Sequence, residues 1–171
     1  MIFLTGGARS GKSTIAIEMA RLHSGPVRYI ATAEASDQEM ERRIAAHRRN
    51  RPEDWTVIEA PIELADAVAG VDDGDFLVVD CITLWVSNLM VDHDDSTILS
   101  RVDEVVKALG YRQSTLVVSN EVGSGLVPMN PIGRRFRDLQ GAANQEFAAP
   151  AERSYLVVAG KMLELGTFGV G

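Results

Sequence analysis

Short apolar runs alternate with amphipathic segments along the chain, and the runs have the length and composition of β-strands. The predicted strands are Ile2–Leu4, Val27–Ala31, Trp55–Glu59, Phe76–Val79, Leu116–Ser119 and Tyr155–Ala159. The segments with apolar residues at helical spacing predict the helices Thr14–Ala20, Ser36–Arg49, Ile62–Ala69, Ile82–Val91, Ile98–Leu109 and Arg134–Ala148. Several strands are continuously apolar, which is typical of a mainly parallel sheet that helices cover on both faces.

Turn and capping residues set some of the boundaries. Ser36 and Glu39 have the spacing of a capping box, and Pro52 disfavours a helical conformation of Arg51. Segment 120–131 is rich in Gly and Pro and predicts a loop over a site. Because ligands of parallel α/β sheets bind at the carboxyl ends of the strands, the residues that follow each strand are the first candidates for chemistry.

The stretch directly after the first strand matches the phosphate-binding pattern G-x-x-x-x-G-K-[ST] without a mismatch. Its residues are Gly6, Gly7, Ala8, Arg9, Ser10, Gly11, Lys12 and Ser13. Glycines let the backbone N–H groups point at phosphate oxygens, and the N-terminus of the following helix adds a favourable field. Lys12 is expected to reach the β- and γ-phosphates, and the Ser13 hydroxyl to bind Mg²⁺. A chance Gly-rich turn would not explain the flanking strand and helix, so we predict a nucleoside triphosphate site.

Two carboxylates follow buried strands. Asp80 ends the fourth predicted strand, where a carboxylate helps to hold Mg²⁺ beside a phosphate-binding loop. Asp80 could also cap the helix that begins near Ile82, and one residue can do both. Glu121 follows the fifth predicted strand and could orient a water molecule, accept a proton or order the Gly123–Gly125 turn. An exposed loop acid explains Glu121 equally well.

An arginine-rich segment interrupts an otherwise acidic chain. Its cations are Arg42, Arg43, Arg48, Arg49 and Arg51. A solvated helix face is the usual explanation of such a charge run. His47 lies within the run, however, and shares a helix face with Met40 and Ile44. A neutral imidazole can attack phosphorus, and neighbouring guanidinium groups would stabilise the transition state. His47 is therefore a candidate nucleophile, and a structural histidine is the alternative.

The other polar candidates have simpler explanations. His23 ends the first predicted helix, where a capping or helix-dipole contact suffices, and His93 lies in an acidic loop. Cys81 is expected to be a small buried residue rather than a nucleophile. A second basic cluster near the start of the last helix could bind a substrate phosphate, contact a neighbouring subunit or be solvated. Its members are Arg134, Arg135 and Arg137.

Composition narrows the class of protein. With 171 residues, 46% of them hydrophobic and 24% charged, the chain is expected to form one domain over residues 1–171. The net charge of −7 argues against nucleic-acid binding, which needs many cations. No apolar run has the roughly 20 residues that span a bilayer, and the first strand leaves no length for a signal peptide. The single Cys81 excludes an internal disulfide. We therefore predict a cytoplasmic protein.

Blocks of sequence typical of one enzyme family run in order from residue 2 to residue 160. They are the loop 6–13, Tyr29–Ala33, the D-x-E-M-x-x-R-I-x-x-H stretch 37–47, R-P-x-x-W at 51–55, D-C-I-T-L-W at 80–85, 119–128, 134–145 and Leu156–Gly160. Together they resemble the adenosylcobinamide kinase/adenosylcobinamide-phosphate guanylyltransferase family, and the resemblance covers nearly the whole chain.

The resemblance implies a P-loop NTPase (RecA-like) fold, a three-layer α/β sandwich with a mainly parallel sheet. It also implies two reactions of cobalamin biosynthesis that depend on Mg²⁺. ATP or GTP first phosphorylates the aminopropanol hydroxyl of adenosylcobinamide. GMP is then transferred from GTP to that phosphate, which gives adenosyl-GDP-cobinamide. In the family, the second step passes through a guanylylated histidine, and His47 is the residue at the matching position.

The resemblance implies further nucleotide-binding residues outside the loop. They are Thr32, Ala33, Glu34, Arg48, Arg49, Asn50, Arg51, Glu59 and Asp80. Family members also form small homo-oligomers, so a trimer is expected. The chain departs from the family pattern after Gly160, where Lys161–Leu165 replaces a more apolar, proline-containing ending. The pairing of that last segment is therefore left open.

Other functions are compatible with the loop. A kinase of another small alcohol would leave His47 structural and would transfer no nucleotide. A RecA-like ATPase acting on nucleic acid would need a basic face, which the net charge of −7 disfavours. A nucleotide-sensing module would not need the helix that carries His47. A GTPase switch is disfavoured because segment 120–123 is not the Asn-Lys-x-Asp guanine reader.

Overall fold

The structure is a computed structural model that describes residues 1–35, 37–49, 51–110, 112 and 114–166. The strands are β1 (Ile2–Thr5), β2 (Val27–Ala31), β3 (Thr56–Glu59), β4 (Phe76–Asp80), β5 (Thr115–Val118), β6 (Arg153–Val158) and β7 (Lys161–Leu165). The helices are α1 (Lys12–Arg21), α2 (Gln38–Arg49), α3 (Leu64–Ala69), α4 (Ile82–Leu89), α5 (Asp95–Gly110) and α6 (Pro131–Ala148). Within these ranges, no helix is long and apolar enough to cross a membrane.

The strands form one seven-stranded sheet in the order β3-β2-β4-β5-β1-β6-β7. From β3 to β6 the described neighbours pair in parallel, and β7 runs antiparallel to β6. The register aligns Ala31 of β2 with Asp80 of β4, and Asp80 with Val118 of β5. The carboxyl ends of the central strands therefore meet at one edge of the sheet, next to the loop that follows β1.

Each face of the sheet carries its own apolar core. On one face, Phe3, Leu77 and Val79 pack with side chains of α3, α4, α5 and α6. On the other face, Leu4 and Val78 pack with side chains of α1. Successive residues of β4 are fully buried because their side chains alternate between two covered faces. The continuous apolar runs predicted this arrangement, and the mainly parallel α/β sandwich is confirmed.

Helix caps account for the main differences in helix bounds. α6 begins at Pro131, before the predicted Arg134, because Asn130 Oδ1 accepts a hydrogen bond from the Gly133 N–H at 2.6 Å. α5 also begins earlier than predicted, at Asp95, and an aspartate side chain again caps its first turn. Apolar spacing identifies the buried part of a helix, whereas a capped first turn can extend beyond it.

The start of α2 differs from the predicted capping box. Ser36 lies outside the described residues, so that part of the prediction is not tested. Asp37 Oδ1 accepts a hydrogen bond from the Met40 N–H at 2.8 Å and so supplies the cap. No residue of α2 is buried, and Met40 and Ile44 are half-buried. α2 is therefore held to the rest of the protein by few apolar contacts.

β7 is the strand that the sequence pattern missed. All of its residues are exposed, so it has no buried face and no apolar alternation that would reveal it. A tight turn connects it to β6, with φ 52° at Ala159 and φ 74° at Gly160. Pairing with β6 answers the question that the unusual Lys161–Leu165 ending left open.

Candidate active site

The phosphate-binding loop lies between β1 and α1 at the carboxyl edge of the sheet. Gly6 has φ +152° and Gly11 has φ +103°, conformations that residues with a side chain rarely adopt. A Cβ at Gly6 would lie 2.3 Å from the Val157 carbonyl oxygen, and the Gly160 N–H donates to the Ser10 carbonyl at 2.8 Å. β6 and its turn therefore pack directly against the loop and determine its path.

Gly6→Ala is expected to destabilise the protein and to impair nucleotide binding. The added methyl group would collide with backbone, and its φ angle would be strained, so the loop or β6 must shift. We expect the free energy of unfolding in urea to fall by about 3 kcal/mol or more. Gly7→Ala is the matched control because no atom lies within 4 Å of its Cβ position. Equal stability of the two variants would contradict this packing.

Lys12 turns back into the loop from the first turn of α1. Its side chain is buried, and its Nζ lies 2.8 Å from the carbonyl oxygens of Gly6 and Gly7 and 3.3 Å from Ser10 Oγ. Burial lowers the pKa of Lys12, while the charge of Asp80 opposes that change. An ammonium group that rests on carbonyl oxygens can exchange them for phosphate oxygens, which are stronger acceptors.

The residues at this edge fit a magnesium ion bound together with a nucleotide. Ala8 and Arg9 are exposed at the turn of the loop, and Ser13 is half-buried next to Lys12. The Ser13 hydroxyl and the Asp80 carboxylate are hard oxygen ligands of the type that Mg²⁺ takes. In the part of the chain that the structure describes, no group of three or more His, Cys, Asp or Glu residues could hold a metal ion. Such a site would need phosphate oxygens to complete it.

Asp80 interacts with a tyrosine that the sequence reasoning did not single out. The Tyr29 hydroxyl, buried in β2, donates a hydrogen bond to Asp80 Oδ2. Burial raises the pKa of Tyr29 well above its usual value, and the Asp80 charge raises it further, so the hydroxyl stays protonated and remains a donor. Cys81 is the N-cap residue of α4, and no side chain caps that helix. The helix-cap alternative for Asp80 is therefore wrong.

The end of the arginine-rich segment reaches the same tyrosine. The Arg51 guanidinium carbon lies 3.9 Å from the centre of the Tyr29 ring, a cation–π arrangement. Trp55 stacks on the same ring with a centroid distance of 6.2 Å. One turn before Arg51, Arg48 forms an ion pair with Glu59 at the end of β3. Contacts with β2 and β3 thus hold the chain just after His47 beside Asp80.

Tyr29→Phe is expected to weaken magnesium binding while preserving the fold. Phenylalanine keeps the stacking with Arg51 and Trp55 but removes the hydroxyl that orients Asp80. Outer-sphere partners of metal ligands commonly contribute a factor of about ten or more to metal affinity. We therefore expect the Mg²⁺ concentration for half-maximal activity to rise about tenfold. Tyr155→Phe, a half-buried tyrosine of β6, is the control, and an equal response of both variants would exclude this role of Tyr29.

His47 is exposed on α2. In the described parts of the chain, no hydrogen bond or ion pair joins it to the phosphate-binding loop. Arg49 is exposed as well, and Asn50 lies outside the described residues. The structure therefore brings Arg48 and Arg51 to the carboxyl edge of the sheet but leaves the histidine in solvent.

Thr32 and its neighbours follow β2 at the same edge. The Thr32 hydroxyl donates to the Cys81 carbonyl at 2.7 Å and accepts from the Cys81 N–H at 2.9 Å, and the side chain is fully buried. Thr32 thus ties β2 to the residue that follows Asp80. Ala33 is half-buried and Glu34 is exposed. Burial raises the pKa of the Cys81 thiol to about 12, which supports a structural rather than a nucleophilic role.

Glu121 orders its own loop. Its Oε1 accepts the Gly123 N–H at 2.6 Å and its Oε2 accepts the Ser124 N–H at 3.1 Å. Partial burial raises the pKa of Glu121, but the hydrogen bonds from Ser124 and Gly123 outweigh it and the net pKa is lowered. The Glu121 N–H also donates to the Gly6 carbonyl at 3.1 Å. Of the roles considered for Glu121, loop ordering is the one with direct contacts.

The second basic cluster and the remaining histidines have separate environments. Arg134 donates to the Met129 carbonyl at 2.7 Å, and Arg135 donates to Asp95 Oδ1 at 2.6 Å and to the His93 carbonyl at 2.7 Å. These two arginines therefore bind groups of the protein rather than being solvated only. His23 packs against the Phe76 ring with a centroid distance of 5.3 Å, near the amino end of β4. Neither His23 nor His93 contacts the phosphate-binding loop through a described hydrogen bond.

Solved structures show the same fold at low sequence identity. An ATPase of a bacterial type III secretion system has a TM-score of 0.52 at 14% identity, with 91% of this chain and 50% of that chain covered. The assembled ATPase EscN from enteropathogenic Escherichia coli has a TM-score of 0.56 at 13% identity, with 92% and 42% covered. These two matches show a shared fold and nothing further about this chain.

Curated relatives match at much higher identity. The bifunctional adenosylcobalamin biosynthesis protein CobP of Pseudomonas aeruginosa is 40% identical, over 95% of each chain. The bifunctional adenosylcobalamin biosynthesis protein CobU of Escherichia coli is 37% identical, over 94% of this chain and 96% of the relative. Residues 2–165 also match the family described as cobinamide kinase / cobinamide phosphate guanyltransferase. This chain therefore belongs to the cobinamide kinase / cobinamide phosphate guanyltransferase family.

Proposed function

We propose that this protein phosphorylates adenosylcobinamide and then transfers GMP from GTP to the product, giving adenosyl-GDP-cobinamide. The observation that carries the proposal is the position of Lys12 and Asp80 at one edge of the sheet, on a chain whose residues 2–165 match this family. The Arg48 and Arg51 contacts place the end of the His47 segment beside the same edge. Few other functions of proteins with a phosphate-binding loop would need Lys12, Asp80 and the His47 segment at the same edge of the sheet.

The kinase step needs a triphosphate held with its γ-phosphate exposed to the acceptor. The loop N–H groups would cradle the phosphates, and Lys12 would exchange its bonds to Gly6 and Gly7 for β- and γ-phosphate oxygens. Ser13 and Asp80 would hold Mg²⁺, which neutralises phosphate charge when bound. The substrate hydroxyl then forms a bond to the γ-phosphorus, the bond to the β-phosphate oxygen breaks, and the hydroxyl proton passes to solvent. ATP or GTP could serve as donor.

The transfer step uses a different phosphorus atom. A neutral His47 nitrogen forms a bond to the α-phosphorus of GTP, and pyrophosphate leaves. A phosphate oxygen of adenosylcobinamide phosphate then attacks the same phosphorus, the phosphorus–nitrogen bond breaks, and His47 is restored. Arginines around His47 stabilise charge on the phosphate.

His47 must approach the nucleotide for this chemistry to occur. Three observations support a rearrangement of α2: none of its residues is buried, His47 is exposed, and the contacts that retain its end involve Arg48 and Arg51. A helix with little buried apolar surface can shift at low cost, because few packed contacts must be broken. We include movement of α2 in the proposal.

Incubation with adenosylcobinamide, GTP and Mg²⁺ tests the proposal in one assay. We expect both adenosylcobinamide phosphate and adenosyl-GDP-cobinamide. GTP labelled at the α-phosphate should also give a labelled protein whose adduct is labile in acid and stable in base, as expected for phosphohistidine chemistry. GTP labelled at the γ-phosphate should not label the protein. Formation of the phosphate alone would favour a small-alcohol kinase without nucleotidyl transfer.

The remaining parts of the proposal follow from sequence and family. We propose that residues 1–171 act as one nucleotide-binding domain, in a homo-oligomer that is a trimer by analogy with the family. The partners are small molecules and not nucleic acid, in keeping with the net charge of −7. We also propose that the enzyme acts in the cytoplasm.

A further inference from the structure

One face of α6 is built onto the carboxyl end of β5. Gln140 Nε2 donates to Ser119 Oγ at 2.8 Å, and Asn144 Nδ2 donates to the Asn120 carbonyl at 3.0 Å. Arg137 lies one turn before Gln140 on the same helix face. Because residues 119–121 lead from β5 toward the phosphate-binding loop, this spacing directs Arg137 to the same end of the sheet.

Two hydrogen bonds to the same carbonyl oxygen connect residue 121, at the carboxyl end of β5, to Lys12. The Glu121 N–H donates to the Gly6 carbonyl at 3.1 Å, and Lys12 Nζ donates to the same oxygen at 2.8 Å. The charge of Arg137 acts on Glu121, which places the guanidinium in its neighbourhood. Since Lys12 is expected to bind the β- and γ-phosphates, Arg137 lies on the side of the site where the γ-phosphate and the acceptor meet.

Arg137 differs from the other two arginines of its cluster in having no hydrogen-bond acceptor among the described residues. Arg134 binds loop carbonyls and Arg135 binds Asp95, whereas no described residue forms a hydrogen bond or ion pair with Arg137. Its Nη1 atom is buried without an acceptor. Buried donors are nearly always paired, so an unpaired guanidinium nitrogen beside a substrate site points to a missing acceptor.

Glu121 does not supply that acceptor. Glu121 uses one carboxylate oxygen for the Gly123 N–H and the other for the Ser124 N–H. The described ion pairs include none between Glu121 and Arg137, although the charge of Arg137 acts on Glu121. The guanidinium remains free to bind a group with several oxygen acceptors, and phosphoryl oxygens match its donor geometry.

We propose that Arg137 is a substrate-binding residue that holds a phosphoryl group at the γ-end of the site. Two phosphoryl groups have the required chemistry: the γ-phosphate of the nucleotide and the phosphate of adenosylcobinamide phosphate. The assignment to the phosphate of adenosylcobinamide phosphate rests on the proposed function. The assignment to the γ-phosphate of the nucleotide requires only that the chain binds a triphosphate. Because the donors match oxyanions, the unphosphorylated corrinoid is not expected to use this contact.

Equilibrium binding to the full-length protein tests the proposal without requiring turnover. Affinities of wild type, Arg137→Gln and Arg137→Lys are measured for GTP, GDP, adenosylcobinamide phosphate and adenosylcobinamide. Arg135→Gln removes one positive charge from the same helix and is the matched control. Since Arg137 makes no described hydrogen bond, both Arg137 variants should fold, and their urea unfolding transitions verify this.

We expect Arg137→Gln to lower the affinity for one phosphorylated ligand, GTP or adenosylcobinamide phosphate, by roughly ten- to a hundredfold. The affinity for the matching ligand without that phosphate, GDP or adenosylcobinamide, should stay unchanged. Loss confined to GTP, with GDP unaffected, would identify the γ-phosphate. Loss confined to adenosylcobinamide phosphate would identify the acceptor phosphate. Arg137→Lys should restore part of the loss because it retains the charge.

Two results would overturn the proposal: unchanged affinity for all four ligands, or equal weakening of GTP and GDP, which would indicate a disturbed loop. A wild-type protein that turns over no corrinoid would instead contradict the proposed function. The comparison of GTP and GDP affinities would still show whether Arg137 binds the γ-phosphate. Absence of corrinoid binding would exclude the phosphate of adenosylcobinamide phosphate as its ligand. Failure of the proposed function and failure of this inference are therefore distinguishable.

Discussion

His47→Ala is expected to abolish transfer of GMP and to leave phosphorylation of adenosylcobinamide close to the wild-type rate. Alanine cannot form the phosphorus–nitrogen bond of the proposed intermediate, so transfer should fall by about 10⁴-fold or more. In the proposed function, phosphorylation depends on the loop and Asp80, to which His47 has no described hydrogen bond. Its exposed position also means that the substitution should leave the fold intact.

The two activities are best measured separately on the same protein sample. Phosphorylation is followed with adenosylcobinamide and ATP, and transfer with adenosylcobinamide phosphate and GTP. His93→Ala is the matched control, because the described hydrogen bonds of His93 involve its backbone N–H and carbonyl and not its side chain. Equal loss of both activities in His47→Ala would argue against separate roles for the histidine and the loop.

Lys12→Ala is expected to reduce both activities by about 10³-fold, in contrast to His47→Ala. The kinase step loses the cation that stabilises charge on the transferring γ-phosphoryl group. The transfer step loses the same cation from the pyrophosphate leaving group, because the β- and γ-phosphates depart together. Affinity for GTP should fall as well, since Lys12 is buried in the loop that binds the phosphates.

Lys107→Ala serves as the control for loss of a lysine. Lys107 forms a surface ion pair with Asp103 on α5, and a surface pair of this kind contributes only a few tenths of a kcal/mol. Both variants are compared by GTP titration, by the two activity assays and by urea unfolding. A Lys12→Ala protein that keeps either activity within tenfold of wild type would contradict the role of the loop in that step.

Local patterns predicted the parts of the fold that depend on contiguous residues. The continuous apolar runs identified the central strands β1, β4 and β5 because a parallel strand covered on both faces is apolar over most of its length. β7 escaped detection because all of its residues are exposed and its position depends on pairing with β6. The same reasoning explains why α6 was predicted too short, since its first turn depends on a cap rather than on burial.

The residues of the candidate site also fall into two groups: those that a local sequence pattern predicts and those that it does not. Lys12 and Asp80 could be predicted, because a phosphate-binding loop and a carboxylate at a strand end are each recognisable over a few residues. Tyr29 and Arg137 could not be assigned, because their significance comes from neighbours that are distant in sequence. Tyr29 in β2 looks like any core aromatic until Asp80 is placed beside it.

Local spacing and blocks of residues were enough to predict the order of the helices and of strands β1 to β6, the nucleotide loop and the family. The tertiary structure alone decided which polar groups of this edge are already paired. In the structure, Arg51 packs on the Tyr29 ring, and both carboxylate oxygens of Glu121 accept hydrogen bonds from its own loop. Arg137 Nη1 has no described acceptor. The physical reason is that hydrogen bonds and ion pairs act over a few ångströms, a distance that separation along the chain does not predict.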